Sequence, residues 1–402
     1  MLDQQTASPS LLSSRTTQSL LHFTLVLLAI EFLDELVFGA REASWPLIRD
    51  DLHLSYTQIG MLLSVPHFIS ILVEPLVGIL ADVWNRRTLV LCGGAAFAVA
   101  LLLVALSHSF TLLLVAFIIL YPASGAFVSL SQATLMDADP RRHEQNMARW
   151  ALAGSLGVVC GPLALAAVIA LGIAWQAVFV ALAGFALLLM AIAWRFPFTR
   201  PSKDVEQAQG HGMVDGVRGA FRALKRREVL RWLILLELAD LLLDGLYGFL
   251  ALYFVDVVGA TQVQAGLAIA VWTGVGLPGD LLLIPLLERV RGLRYLRWST
   301  LVALFLFPAF LLTPNFTLKL VMLGLLGLTN AGWYSILQAQ LYSVMPGQSG
   351  TVMALGSVFG LVGGLIPLGI GVLAEHYGLG VSIWLLVLGP VALMFAIPKE
   401  SE

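Results

Sequence analysis

The sequence predicts an all-α integral membrane protein with twelve transmembrane helices in two pseudo-symmetric six-helix halves, and three observations carry that prediction. The 402 residues are 59% hydrophobic and 12% charged, with a mean hydropathy of +0.89, which is more apolar surface than a soluble core of this length can hide. The apolar residues gather in twelve stretches near 19–40, 55–80, 88–107, 110–136, 147–171, 174–196, 229–256, 262–287, 296–313, 317–344, 350–374 and 379–398, each close to the roughly 20 residues that a bilayer requires. The third observation is an internal repeat.

Sliding the chain along itself by 206 residues sets Glu31 on Glu237, Asp34 on Asp240, Asp50 on Asp256, Glu74 on Asp280 and Asp82 on Glu288. Eight acids fall between residues 31 and 82 and six in the image, so about one coincidence is expected by chance. Five occur. At the same offset Gly39 meets Gly245, Ser129 meets Ser335, Gln132 meets Gln338 and Gly157 meets Gly363. Parallel six-span repeats build transporters whose substrate site lies between the halves near the membrane midplane. The halves are expected at 1–196 and 229–402, with a linker at 197–228 that contains Pro197, Pro201 and the basic run Lys225, Arg226, Arg227. Its stretch from Val214 to Arg227 reads either as a short basic helix on lipid headgroups or as a solvated connector.

Residues 1–18 are polar, carry only Arg15 as a base and run straight into a full-length span, so no cleavable signal is expected. Within this layout only Arg41, Arg49 and Lys319 of the 23 Lys and Arg fall opposite the N-terminus, and the positive-inside rule then puts both termini in the cytoplasm of a plasma (inner) membrane protein. Asp50, Asp51 and Asp256 read as solvated loop acids. Cys92 and Cys160 lie inside spans at no metal-like or disulfide-like spacing and read as packing residues.

Span one places Glu31 near mid-depth, with Asp34 and Glu35 one turn on; spacings of three and four put all three on one helix face. An ionised acid at the centre of a lone span costs about 2.5–3.5 kcal/mol, so such residues face a cavity or a partner. Span seven mirrors the pattern with Glu237, Asp240 and Asp244. Glu31, Asp34, Glu237 and Asp240 are therefore the candidate proton or substrate groups, because crowded, desolvated acids accept protons readily. Span two adds His67 and Glu74, span eight Asp280, span four Gln132, and span ten Asn330, Trp333, Tyr334 and Gln338. These are the cavity candidates, and aromatic faces beside acids suit an organic cation. Span five carries Gly154, Gly157, Gly161 and Pro162, and span eleven Gly356, Gly360, Gly363, Gly364 and Pro367; small residues at such spacings let helices approach closely.

Between spans two and three the chain reads Gly78-Ile79-Leu80-Ala81-Asp82-Val83-Trp84-Asn85-Arg86-Arg87. This resembles the loop signature of the major facilitator superfamily, with Gly78, Leu80, Asp82, Arg86 and Arg87 matching and Val83 and Asn85 departing from it. The resemblance implies that family's twelve-helix fold and a gating role for Gly78, Asp82, Arg86 and Arg87, with a degraded copy at Glu288, Arg289, Arg291 and Gly292. The glycines and Pro162 of span five are similar to a motif associated with the family's antiporters, although the glycines usual after Gly-Pro are replaced by Ala164 and Leu165. Many proton-coupled members carry an Arg in span four where Tyr121 stands here, so a relay through that Arg is absent or rebuilt; Arg149 is a candidate substitute.

The expectation that follows is a secondary active transporter working by alternating access, coupling inward proton flow to export of a small cationic or amphipathic compound. Alternatives are a divalent metal cation held by converging carboxylates, a neutral metabolite, and, from another class, a membrane enzyme or lipid-handling protein using Glu and His67 as acid and base. No nucleophile elbow or metal-binding His pair supports an enzyme, and no Gly-x-x-x-x-Gly-Lys-Ser/Thr stretch implies ATP. The expected partners are the substrate, protons and the lipid bilayer, for a monomer without cofactor, resident metal or nucleic acid.

Overall fold

The computed structural model describes residues 9–83, 85–138, 143–196, 224–345, 355 and 359–398, with the side chains of 9–21, 74–83, 137–138, 143–145 and 284 outside that description. The described chain is helical. Its N-terminal half comprises α1 (Pro9–Leu52), α2 (Tyr56–Val83), α3 (Arg86–Ala105), α4 (Phe110–Ser124), α5 (Leu130–Ala138), α6 (His143–Ala170) and α7 (Gln176–Ala193). The C-terminal half comprises α8 (Arg227–Leu252), α9 (Gln262–Leu287), α10 (Gly292–Leu312), α11 (Phe316–Thr329), α12 (Trp333–Ser343), α13 (Ile366–Tyr377), α14 (Leu379–Ser382) and α15 (Leu388–Ala396). Of the twelve expected spans, ten are helices apolar and long enough to cross a membrane. The other two are α1 and α8, whose apolar runs are interrupted by Glu31, Asp34 and Glu35 and by Glu237, Asp240 and Asp244. The linker stretch 197–223 lies outside the described residues.

Among the described residues, three spans break where the repeat carries polar residues. A π-helical turn at Gly125–Ser129 joins α4 to α5, following Pro122, and another at Tyr253–Val257 ends α8. The tenth span is cut between α11 and α12, where Gly332 takes a φ of 69° that a residue with a Cβ adopts only with strain. Such departures from the regular ladder concentrate at functional sites.

Helix α1 runs well past the expected end at residue 40, for 44 residues and through Pro46. Its last turns stay helical because their polar side chains bond one another in the interior. Trp45, fully buried, donates from Nε1 to Glu42 Oε2 at 2.8 Å, and Arg41 pairs with the same carboxylate. Along its length α1 lies on α6, backbone against backbone: a Cβ on Gly161 would stand 2.5 Å from the Ala40 nitrogen, and one on Gly157 would overlap the Phe32 carbonyl. The glycines of span five are the condition for that approach.

Among the described residues, two helix pairs bring the backbones of the two halves closest together. On one, a Cβ on Gly60 of α2 would lie 2.7 Å from the Pro367 carbonyl oxygen, and the Leu368 N–H donates to Ser64 Oγ at 3.0 Å. On the other, Gly266 of α9 packs against Pro162 and Ala166 of α6. Both contacts lie toward the end of the bundle where α1 finishes and α2 begins, the α1/α2 end. There Arg49 pairs with Asp256 across the halves, the Tyr56 hydroxyl donates to Asp256 Oδ2 at 2.6 Å, and the Tyr56 N–H donates to Glu375 Oε2 at 2.8 Å. Asp256 is thus a clamp between halves, its side chain 16% exposed, and Asp51 accepts from Gln176 Nε2 at 2.8 Å. All three residues are exposed, as expected of loop acids.

Lys319, expected on the side opposite the N-terminus, is buried. Its Nζ donates to the Phe310 carbonyl at 2.5 Å and to the Tyr253 hydroxyl at 2.8 Å, so it caps the last turn of α10. Lys319→Met leaves the Phe310 carbonyl unsatisfied at a cost of about 1–3 kcal/mol, and thermal unfolding in detergent is expected to report a lower Tm with the helical content unchanged.

Candidate functional site

Between the halves lies a cavity of about 600 Å³. Helix α8 supplies one wall with Glu237, Asp240, Asp244 and Tyr247; α1 supplies Phe38, Arg41 and Glu42; His67 of α2, Tyr121 of α4 and Tyr334 of α12 complete the polar lining, and Gly360, Gly363 and Gly364 form an open floor. The repeat explains the floor. Gly157 and Gly363 are equivalent positions, yet Gly157 is closed by α1 whereas Gly363 borders the cavity, against the Glu237 carboxylate.

Arg41 is the described cation of this cavity. Its Nη1 donates to the Tyr121 hydroxyl at 2.7 Å, its Nη2 and Nε donate to Glu42 Oε1 at 2.5 and 3.0 Å, and its guanidinium lies over the rings of Phe38 and Tyr121 at 4.8 and 5.2 Å. Arg41 is buried in the interior, and it delivers positive charge to the place in span four that Tyr121 holds. Arg149 is exposed. Neither Arg41 nor Glu42 is marked by the repeat, since their images are Tyr247 and Gly248; the one signal available was an Arg-Glu doublet continuing the helical face of Asp34 and Phe38.

A second chamber of about 220 Å³ shares Phe38, Arg41, His67 and Tyr121 with the first and adds Asp34, Ser70 and Ser124. Asp34 Oδ1 accepts from Ser124 Oγ at 2.8 Å, at the last residue before the π-helical turn. Glu31 lies on neither chamber. It is buried against α6, where a Cβ on Gly154 would stand 2.7 Å from its Oε1. Glu31 thus packs on Gly154 of the fifth span and Glu237 on Gly363 of the eleventh, which is the image of Gly157 and not of Gly154.

The other candidates divide. Asp280, Asn330 and Trp333 border a third cavity, of about 330 Å³, which Tyr334 and Leu243 share with the main one. Gln132 is half-buried with Nε2 3.7 Å from Met147 Sδ, and Gln338 is half-buried in α12; neither borders a described cavity. The side chains of Glu74, Gly78 and Asp82 lie outside the described residues. Arg86 is buried, Arg87 donates to the Trp194 carbonyl within its own half, and Glu288 is exposed.

Charge balance decides what the main cavity can do. The ion pairs among the described residues are Arg41 with Glu42, and Arg49 with Asp50 and with Asp256. The α1 wall is thus neutralised internally, while Glu237, Asp240 and Asp244 have no described cation; Oε2 of Glu237 is also buried without a hydrogen-bond donor. No three His, Cys, Asp or Glu side chains among the described residues come together as metal ligands do. The α8 wall is suited to take up protons or a positively charged group.

A profile of the Major Facilitator Superfamily matches residues 27–368. The fosmidomycin resistance protein of Escherichia coli K12 is 23% identical over 354 residues, covering 86% of this chain and 84% of its own length. A transcription regulatory protein, OpdE, of Pseudomonas aeruginosa is 26% identical over 300 residues, covering 72% and 71%. Among solved structures, a bacterial homologue of the human lysosomal transporter Spinster in an inward-facing, occupied conformation superposes with a TM-score of 0.75 at 17% identity, over 95% of this chain and 96% of that one. The nucleoside transporter NupG superposes with 0.74 at 17% identity, over 93% and 98%.

If the glycine at 363 makes room for the Glu237 carboxylate, Gly363→Ala is expected to push it toward the cavity and to lower transport by about tenfold or more, since a Cβ there must displace that carboxylate. Size-exclusion profiles of the purified variant check that the fold is kept.

Proposed function

The chain belongs to the Major Facilitator Superfamily, and on that footing we propose that this transporter exports a small cationic or amphipathic compound in exchange for protons. The observation that carries the proposal is the α8 wall: three acids lining a cavity of about 600 Å³ and making no described ion pair, the cavity's Arg41 being paired with Glu42. Acids placed there cost several kcal/mol unless protonated or paired with a positively charged ligand. Competition between proton and cargo for Glu237 and Asp240 couples the two fluxes, with Glu31 and Asp34 as further proton carriers. Tyr121, Tyr247 and Tyr334 offer aromatic surface to the same cavity. A relative named for resistance to fosmidomycin favours export over uptake.

The basic residues supply the orientation. Arg86, Arg87, Arg195, Arg226, Arg227, Arg231 and Arg289 through Arg297 lie at the end opposite the Arg49–Asp256 clamp, so the positive-inside rule places the α1/α2 end on the outer side of the membrane and both termini in the cytoplasm. In this orientation the clamp, Ser64 with Leu368, and Gly60 with Pro367 form an outer seal, and the conformation is inward-facing, as in the similar Spinster homologue. The divalent-metal reading lacks a described ligand cluster, and the neutral-metabolite reading leaves the α8 acids to protons alone.

Proteoliposomes with an imposed pH gradient test the proposal. Uptake of a fluorescent lipophilic cation into inside-out-oriented vesicles is expected to follow the gradient and to fall at least tenfold in Glu237→Gln or Asp240→Asn. Gradient-independent flux, or variants that match wild type, sinks it. Breaking the outer seal with Arg49→Ala removes a charge-assisted pair worth about 1.5–3 kcal/mol. A cysteine placed at Leu63, with Cys92 and Cys160 replaced by serine, is then expected to react about tenfold faster with an impermeant thiol reagent added from outside.

A further inference from the structure

We propose that the break in the tenth span is a second binding site, for a monovalent alkali cation, separate from the acids of α8. The cavity of about 330 Å³ beside the break is bordered by Thr273 and Asp280 of α9, by Asn330 at the break, and by Ser155 and Ser335. Among the described residues, no Lys, Arg or His borders it. Asn330 is 4% exposed, and both ends of its amide, Oδ1 and Nδ2, are buried without a hydrogen-bond partner. A buried polar group left in that state costs about 1–3 kcal/mol, which marks it as an acceptor waiting for a ligand.

A backbone carbonyl comes to the same place, since Gly327 also borders the cavity. Because α11 stops at Thr329, its last carbonyls have no N–H one turn further on. Two of them face α9: the Leu328 oxygen is 3.3 Å from where a Cβ on Gly279 would be, and the Gly327 oxygen 3.7 Å from one on Gly276. Carbonyls at the C-terminal end of a half-helix carry partial negative charge and coordinate alkali ions in membrane transporters. Thr273 donates its hydroxyl hydrogen to the Ile269 carbonyl, which leaves its oxygen lone pairs free to accept. The set is oxygen only, which suits a hard cation. One carboxylate matches one positive charge, whereas calcium sites draw on several. The volume holds an ion and several waters at roughly 30 Å³ each. Trp272, Trp333 and Tyr334 also border the cavity, so the experiment sets choline, an organic ammonium, against the alkali ions.

The competing explanation for Asp280 is structural: its Oδ1 accepts from the Gly332 N–H at 3.1 Å and so caps α12. Asp280→Asn separates the two, because an asparagine oxygen keeps the cap while the charge is lost. The experiment is thermal unfolding of purified protein in sodium, potassium or choline chloride at constant ionic strength and pH, for wild type, Asp280→Asn, Asn330→Leu and Glu237→Gln. The expected result is a saturable rise of Tm by several degrees in sodium or potassium over choline, kept in Glu237→Gln, lost in Asp280→Asn at an unchanged Tm in choline, and weakened in Asn330→Leu. Binding of radiolabelled sodium to wild type, measured directly and competed by potassium, stands if a variant does not fold. Equal Tm in all three salts, choline as the best stabiliser, a response that survives Asp280→Asn, or one that disappears only in Glu237→Gln overturns the proposal. The last of these moves the ion to the α8 acids, and the loss of the alkali response alone leaves the proton-exchange reading untouched.

Discussion

A carboxylate in the hydrocarbon layer must be paired, protonated or turned toward a cavity, and the packing of this bundle decides which acid receives which treatment. Where α1 lies on α6, glycines at 154, 157 and 161 bring the backbones together and enclose Glu31. In the second half Gly363, the image of Gly157, borders the main cavity beside Glu237. One repeat yields a sheltered acid and an accessible one. The asymmetry between halves is what makes a site out of a duplication.

Arg41 depends on the same constraint. A guanidinium buried in a membrane protein requires a counter-charge and acceptors for its donors, and Glu42, Tyr121 and the rings of Phe38 and Tyr121 provide them. Glu42 in turn receives Trp45. The doublet consumes its own charge, and the cavity's remaining charge is left entirely on α8. At the α1/α2 end, Arg49 does the opposite: it joins two acids, one from each half, and holds them together. The two arginines, eight residues apart on one helix, serve the interior and the seal.

Much of the fold was legible. Twelve apolar stretches, a repeat at a fixed offset and the loop from Gly78 to Arg87 were enough for the class and the pairing of spans. The acid clusters of spans one and seven could be read because intramembrane carboxylates are rare whatever surrounds them. The limits were equally physical. Helix α1 was expected to stop at residue 40 because hydropathy drops there, although Arg41, Glu42 and Trp45 satisfy one another within the interior. Asp256 looked like a loop acid because its partners, Arg49 and Tyr56, lie far away along the chain, at separations of 207 and 200 residues.

Sequence alone determined the helical membrane class and the presence of acid clusters in the first and seventh apolar stretches, since composition and period act locally and need no neighbour. Tertiary structure decided the rest: that Arg41 meets Tyr121 across 80 residues of chain, that Glu31 is sheltered and Glu237 exposed to the cavity, and that Asp280 reaches the break at Gly332. Those outcomes turn on helix rotation and on how closely backbones approach. Glycine permits that approach, but no periodicity in the sequence states whether a neighbouring helix takes it up.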